Sequence, residues 1–347
     1  MNDSSFNELL CIAVTCGYRW RSLVIRQANP ATVSNIWRMR FPSLEYVQIL
    51  GVRIPDKSLL LTSRCAPSLK YLTLWDQGSI DQLPAVSNLN TGEFRWSCSG
   101  SGPRLLSSLF SCQQLRRLVL SGPYESGDQW PEPQSIYLPA LVSLTIDLIN
   151  PQPALAAMVV PNLHYLWCSL TSYTHNWAHV FGGFPNVFTN VRHLSLNHAG
   201  GSTEADAEAV YAACPDVYQV ELSADDIPAF FHGNTPVDRW PHLEHLTLEG
   251  MKVGTIPRDL IKWFDGRKST EQSLLLVTLS KFREPKGAPN GWLTSLCKSL
   301  RGRCLLELED FPLKTTLKMH TSSQGDVLDS YGSCDSVRIF IDERLEG

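Results

Sequence analysis

The chain has 347 residues, 43% of them apolar, with a formal net charge of -4 and a pI near 6.1. That apolar content excludes general disorder, and the acidic balance excludes an electrostatic nucleic-acid binder, which carries a basic excess. No run of about 18 apolar residues exists, so no membrane span is expected. Residues 1–20 also lack the basic segment and small-residue cleavage site of a signal peptide. The ten cysteines form no C-x-x-C pair. They read as reduced, buried, small apolar residues of a cytoplasmic and/or nuclear protein.

From the N-terminus, residues 6–16 read as a helix, with Phe6, Leu9, Leu10, Ala13 and Val14 at helical spacing. A strand over residues 20–25 follows at once. Then comes "FPSLEYVQILG", residues 41–51, and the chain keeps returning to it. "APSLKYLTLWD" starts at Ala66, "LPALVSLTIDL" at Leu138, "VPNLHYLWCSL" at Val160, "CPDVYQVELSA" at Cys214 and "WPHLEHLTLEG" at Trp240.

The shared frame is P-x-L-x-x-L-x-L. Its last apolar position falls at Ile25, Ile49, Leu74, Trp96, Leu120, Ile146, Cys168, Leu196, Leu222, Leu248, Leu279, Leu308 and Ile341, with steps of 22 to 33 residues. The residue two places earlier is apolar every time, from Leu23 through Phe94 to Ile339. Proline is an independent check. At 22 of 347 residues, fewer than one would fall by chance at a fixed position of thirteen frames; six are there, at 42, 67, 139, 161, 215 and 241. The frame weakens at residues 91–96 and after Leu279.

L-x-x-L-x-L makes a short strand whose alternate residues face one core. One such strand cannot bury its face alone, whereas stacked neighbours can, which makes a solenoid. The returning segments look helical at 103–112, 202–214, 257–264 and 291–300. Cys65, Cys112 and Cys214 end returning segments and are expected to tuck under the turn. The stretches 121–137 and 281–291, rich in turn formers, are expected to project as loops.

These features resemble leucine-rich repeats, with their 20 to 29 residue period. The resemblance implies an α/β solenoid, horseshoe-like, with a parallel inner sheet of about 12–13 short strands and helices or irregular segments outside. It implies one domain over 1–347, clearest over 18–250 and degenerate over 251–347. The Asn or Cys that such repeats carry three residues after the last Leu is missing; Val52, Gln77, Pro123, Ala199 and Met251 stand there. No side-chain ladder is then expected at that turn. A closer resemblance is to fungal F-box proteins with degenerate leucine-rich repeats, through the "hPxLxxLxLxx" texture and the opening Arg19-Trp20-Arg21-Ser22-Leu23. It implies a substrate-recognition region for a cullin-type ubiquitin ligase. No F-box is found, and a Skp-type adaptor is implied only if a missing F-box is restored. The nearest match, "IPRDLIKWF" at 256–264, reads as an outer helix with Leu260, Ile261 and Phe264 inward.

In such strands the residues between the Leu positions show on the concave face. Tyr46, Tyr71, Arg117, Tyr165, His193 and His245 fall at the third frame position, Arg95 and Trp167 at the fifth, and Trp75 just after the frame. Tyr46, Tyr71, Trp75, Tyr165 and Trp167 form an aromatic stripe of a kind enriched at binding hot spots. Charge drifts from Arg26, Arg95 and Arg117 early to Asp147, Glu221, Glu249, Glu307 and Glu309 late. The expectation is a non-catalytic module that binds a protein partner, with no nucleic acid or membrane involved.

Signals for an enzyme are weak. "HNWAH" sets His175 and His179 four apart, but Asn176 stands where a zinc protease has its Glu, and no third ligand is evident. "SGSG" at 99–102 lacks the G-K-[ST] of a phosphate loop. Asp225-Asp226 reads as turn chemistry. No catalytic residue, cofactor or metal is expected.

Overall fold

The computed structural model describes residues 15–26, 36–51, 62–75, 88–96, 109, 112–123, 131–170, 175–184, 187–198, 201–223, 225–231, 236–250, 258–269, 275–280, 299–300, 304–309 and 336–337. The strands, in chain order, are β1 (Ser22–Arg26), β2 (Tyr46–Leu50), β3 (Tyr71–Trp75), β4 (Thr91–Arg95), β5 (Arg117–Gly122), β6 (Ile136–Tyr137), β7 (Ser143–Leu148) and β8 (Met158–Val159). They continue with β9 (Tyr165–Leu170), β10 (His193–His198), β11 (Gln219–Ser223), β12 (His245–Glu249), β13 (Leu276–Ser280), β14 (Leu305–Glu309) and β15 (Ser336–Val337). The helices are α1 (Gln152–Ala157), α2 (Trp177–Phe181), α3 (Glu204–Ala213), α4 (Ile227–Phe230), α5 (Pro236–Arg239) and α6 (Arg258–Ser269).

The architecture is α/β. One sheet runs β1-β2-β3-β4-β5-β7-β9-β10-β11-β12-β13-β14-β15, and its first twelve strands are parallel in chain order. Equivalent frame residues pair: Leu23 with Val47, Val47 with Leu72, Leu144 with Leu166, Leu194 with Val220, and Val277 with Leu306. The last frame is different. β15 pairs antiparallel to β14, Leu308 against Val337, and residues 339–341 lie outside the described residues.

The sequence frame is also displaced at β4. By spacing alone the apolar pair of this frame is Phe94 and Trp96. The register instead sets Gly92 beside Leu72 and Leu118, and Phe94 beside Leu74 and Leu120. The cause is packing. A Cβ on Gly92 would lie 2.7 Å from Cε2 of Phe94, so one ring fills the space of two aliphatic side chains. Trp96 follows the strand, buried, and its N–H donates to the Ser121 carbonyl at 2.9 Å. Glu93 and Arg95 therefore each sit one row further along the strand than expected.

In the main sheet, each strand from β2 to β12 is entered the same way. One carbonyl accepts two N–H groups of the next strand's start. Arg21 accepts from Glu45 and Tyr46, Glu45 from Lys70 and Tyr71, Arg116 from Val142 and Ser143, and Tyr218 from Glu244 and His245, at 2.9 to 3.1 Å. Beside this runs a side-chain ladder that the sequence reading missed. Ser68 Oγ donates to the Pro42 carbonyl, and the Nδ2 groups of Asn88, Asn162 and Asn190 donate to those of Pro67, Pro139 and Pro161, at 2.7 to 2.8 Å. The frame proline thus leaves its carbonyl to be capped by the next frame. At the strand exit, where the expected ladder residue is missing, backbone serves instead: Gly51 N–H donates to Trp75 O, and Gly250 N–H to Ser280 O, both at 3.0 Å.

The sheet's covered face holds the core. Leu44, Val47 and Ile49 are buried, as are Leu69, Leu72 and Leu74, Leu141, Leu144 and Ile146, and Leu243, Leu246 and Leu248, while Trp20 at the first frame is half-buried against the core. Burying each such aliphatic side chain contributes about 1.5–3 kcal/mol. On the outside, α3 begins with a capping box between Thr203 and Asp206, as its "STEADAEAV" sequence requires. α6 buries Leu260, Trp263 and Phe264, with Ile261 half-buried against the core, so "IPRDLIKWF" packs as an outer helix over its described residues. The stretch 121–137 ends in β6, which pairs with β8 in a small second sheet. Most of 6–16 and of 103–112, and all of 281–291, lie outside the described residues.

Cys65, Cys112, Cys168, Cys214 and Cys304 are buried and Cys16 is exposed. Burial drives the Cys168 and Cys214 thiols far above their ordinary range, with Asp147 adding at Cys168. The thiolate is the reactive form. Under native conditions a thiol reagent is therefore expected to label Cys16 and to leave Cys168 and Cys214 unmodified until the chain unfolds. Mass spectrometry of labelled peptides checks this; native labelling of Cys214 would contradict the packing.

Candidate binding face

Strand alternation produces the site. Residues at odd strand positions point away from the core and form three rows across the sheet. The first row runs Ser22, Tyr46, Tyr71, Thr91, Arg117, Ser143, Tyr165, His193, Gln219, His245. The second includes Gln48, Thr73, Glu93, Thr145, Trp167 and Glu221, and the third Arg26, Trp75, Arg95, Asp147 and Glu249. Tyr71 is 44% exposed, Arg95, Arg117 and His193 are exposed, and Tyr46, Trp75, Tyr165, Trp167 and His245 are half-buried.

The expected stripe is divided into two clusters. The first lies on β1–β4. The Tyr46 and Tyr71 ring centroids are 6.5 Å apart. The Arg95 guanidinium lies 5.3 Å from the Trp75 ring centroid, a cation–π contact worth about 0.5–1 kcal/mol where exposed. That contact exists because Arg95 is registered against Trp75. Arg26 donates to Gln48 Oε1 at 3.3 Å. Between the clusters, β5 and β7 carry Arg117, Val119, Ser121, Ser143, Thr145 and Asp147 and no aromatic residue.

The second cluster lies on β9–β14. Tyr165 and His193 meet edge to face, with centroids 6.4 Å apart. Burial raises the Tyr165 hydroxyl pKa, and the Glu221 and Glu249 carboxylates raise it further against the opposing pull of Arg117. His245 Nε2 is 2.7 Å from Thr278 Oγ1, and the Thr278 hydroxyl donates to Glu307 Oε2 at 3.3 Å. A hydroxyl has one proton, so with it turned to Glu307, Thr278 accepts from His245 in its Nε2–H form. Burial lowers the His245 pKa; Glu307 opposes this and His193 adds to it. Thr278 is invisible as a site residue in the sequence, since nothing marks it apart from other strand threonines.

The His175 ring, just before α2, and the His179 ring within that helix stack at 5.0 Å, and the N-cap between them is Asn176. Burial and the neighbouring His179 lower the His175 pKa. Among the described residues, no group of three His, Cys, Asp or Glu is placed to hold a metal. No helix among them is long and apolar enough to cross a membrane. A recess of about 380 Å³ between residues 155–163 and 184–190 is lined by apolar groups such as Leu155, Met158 and Phe188, none of them in the three rows. No protein-family model matches this chain, and no curated protein matches it either.

Proposed function

We propose that this chain is a horseshoe-like leucine-rich-repeat solenoid and a non-catalytic module that holds a protein partner on the open face of its sheet. The observation that carries the reading is the contrast between the two faces. One is buried along its whole described length, and the other presents tyrosine, tryptophan, arginine and histidine in registered rows. The recurring strand-entry bonds and the proline-carbonyl ladder support the repeat. Following the F-box resemblance, the module serves as the substrate-recognition part of a cullin-type ubiquitin ligase receptor.

A triple variant, Tyr71→Ala, Trp75→Ala and Trp167→Ala, is expected to reduce partner capture at least tenfold while leaving the urea midpoint within the range of surface substitutions. Proximity labelling in the source cell first supplies the partner. Undiminished capture by the folded triple variant would rule the face out. A free-standing scaffold with no ligase role is the second reading. It is favoured by the burial of Leu260, Trp263 and Phe264, which takes the nearest F-box-like stretch out of use for adaptor docking. A pull-down separates the two: a Skp-type adaptor captured by the natural full-length product supports the ligase role.

A further inference from the structure

The open face carries opposite charge at its two ends. On β1–β5 its positions hold Arg26, Arg95 and Arg117 against the single carboxylate Glu93. On β7–β14 they hold Asp147, Glu221, Glu249 and Glu307, with no Lys or Arg at the described positions. The acidic field reaches across strands, since Glu221 and Glu249 act on the Tyr165 hydroxyl from two and three strands away. Asp147 stands on the strand beside Arg117, and the carboxylates Glu221 and Glu249 lie beyond it; Arg117 and Glu221 occupy strands four intervals apart, ~19 Å along the sheet, the length of about six residues of extended chain.

From this charge complementarity we infer that the partner presents a bipolar segment: carboxylates over Arg95 and Arg117, lysines or arginines over Glu221 and Glu249, and about six uncharged residues between. The inference rests on the open face being the binding surface. At 0.15 M salt the Debye length is about 8 Å, so each pole acts on its own group and the spacing is selected. A segment with both charges adjacent can bridge Arg117 and Asp147, but it cannot hold Arg95 and Arg117 and reach Glu221 and Glu249 at once.

The test uses the full chain and fluorescein-labelled synthetic peptides. One has three Glu, a six-residue uncharged spacer and three Lys; the others are its Glu-only half, its Lys-only half and a version without the spacer. The spaced bipolar peptide is expected to bind at least tenfold tighter than any of the others at 0.15 M salt, where the poles are screened from each other. Reversing one pole, Arg95→Glu with Arg117→Glu, is expected to remove that advantage. Adding Glu221→Lys and Glu249→Lys is expected to restore it, because the peptide then docks the other way round. A lost fold could not produce that rescue. Equal binding of the bipolar and Lys-only peptides, or no rescue, would overturn the inference. Capture of the natural partner that still needs Tyr71, Trp75 and Trp167 would in that case leave the binding-face reading standing. Capture that ignores those aromatics sinks that reading, whatever the peptides do.

Discussion

Asp206→Ala is expected to lower the unfolding free energy by about 1–3 kcal/mol, read as a fall in the urea midpoint. Asp206 is fully buried, yet its carboxylate is well supplied. Oδ1 accepts from Ala178 N at 2.6 Å, and Oδ2 from Thr203 N at 2.8 Å and Thr203 Oγ1 at 2.7 Å. It therefore closes the capping box of α3 and also satisfies an N–H in the first turn of α2, tying two outer helices together. Alanine would remove the acceptor of three donors, two of them backbone. Asp206→Asn keeps one acceptor oxygen and should lose less. A cost below about 1 kcal/mol for the alanine variant would show that Asp206 does not join the helices.

Gly122→Ala is the second large effect, with an expected cost of about 2–5 kcal/mol. Gly122 ends β5 at φ +146°, where L side chains are strained. An added Cβ would also sit 2.4 Å from the Trp96 carbonyl oxygen, which is backbone and cannot turn aside. The bond from Trp96 N–H to Ser121 O fastens the end of β4 to β5 at this place, so relief by movement would break it. The exposed-face neighbour Ser121→Ala should be close to neutral. Equal midpoints for the two variants would contradict the close approach.

These two residues mark where the sequence stopped being legible. The strands were legible because Pro and alternating Leu recur in register, and Leu44, Val47 and Ile49 pack as their spacing requires. β4 was misread because Trp96 looks like a better core residue than Gly92. Only the three-dimensional fit of the Phe94 ring shows that a glycine belongs there. The serine and asparagine ladder was in plain sight between Pro and Leu, as Ser68 and Asn162, but its partner carbonyls lie one frame back. Asp206 looked like an ordinary capping residue, and its bond to Ala178 spans 28 residues.

The same limits apply to the face. Tyr46, Tyr71, Tyr165, His193 and His245 were placed correctly by alternation, because each lies in a frame with regular spacing. Arg95 was placed a row too early, so its stacking on Trp75 was hidden. The division of the aromatic stripe followed from β5 and β7, whose polar residues were visible in the sequence but whose position between the clusters depends on sheet order.

The proposed function places a protein partner on the open face of the sheet. Site-specific photo-crosslinking in the source cell tests it most directly, with benzoylphenylalanine placed at Tyr71, at Trp167, or at Tyr137 on β6 outside the main sheet. Tyr71 and Tyr137 are comparably exposed, at 44% and 51%, so accessibility alone does not favour either. The account predicts one common crosslinked partner from positions 71 and 167 and little or none from 137. A partner crosslinked from 137 and not from 71 or 167 would contradict it.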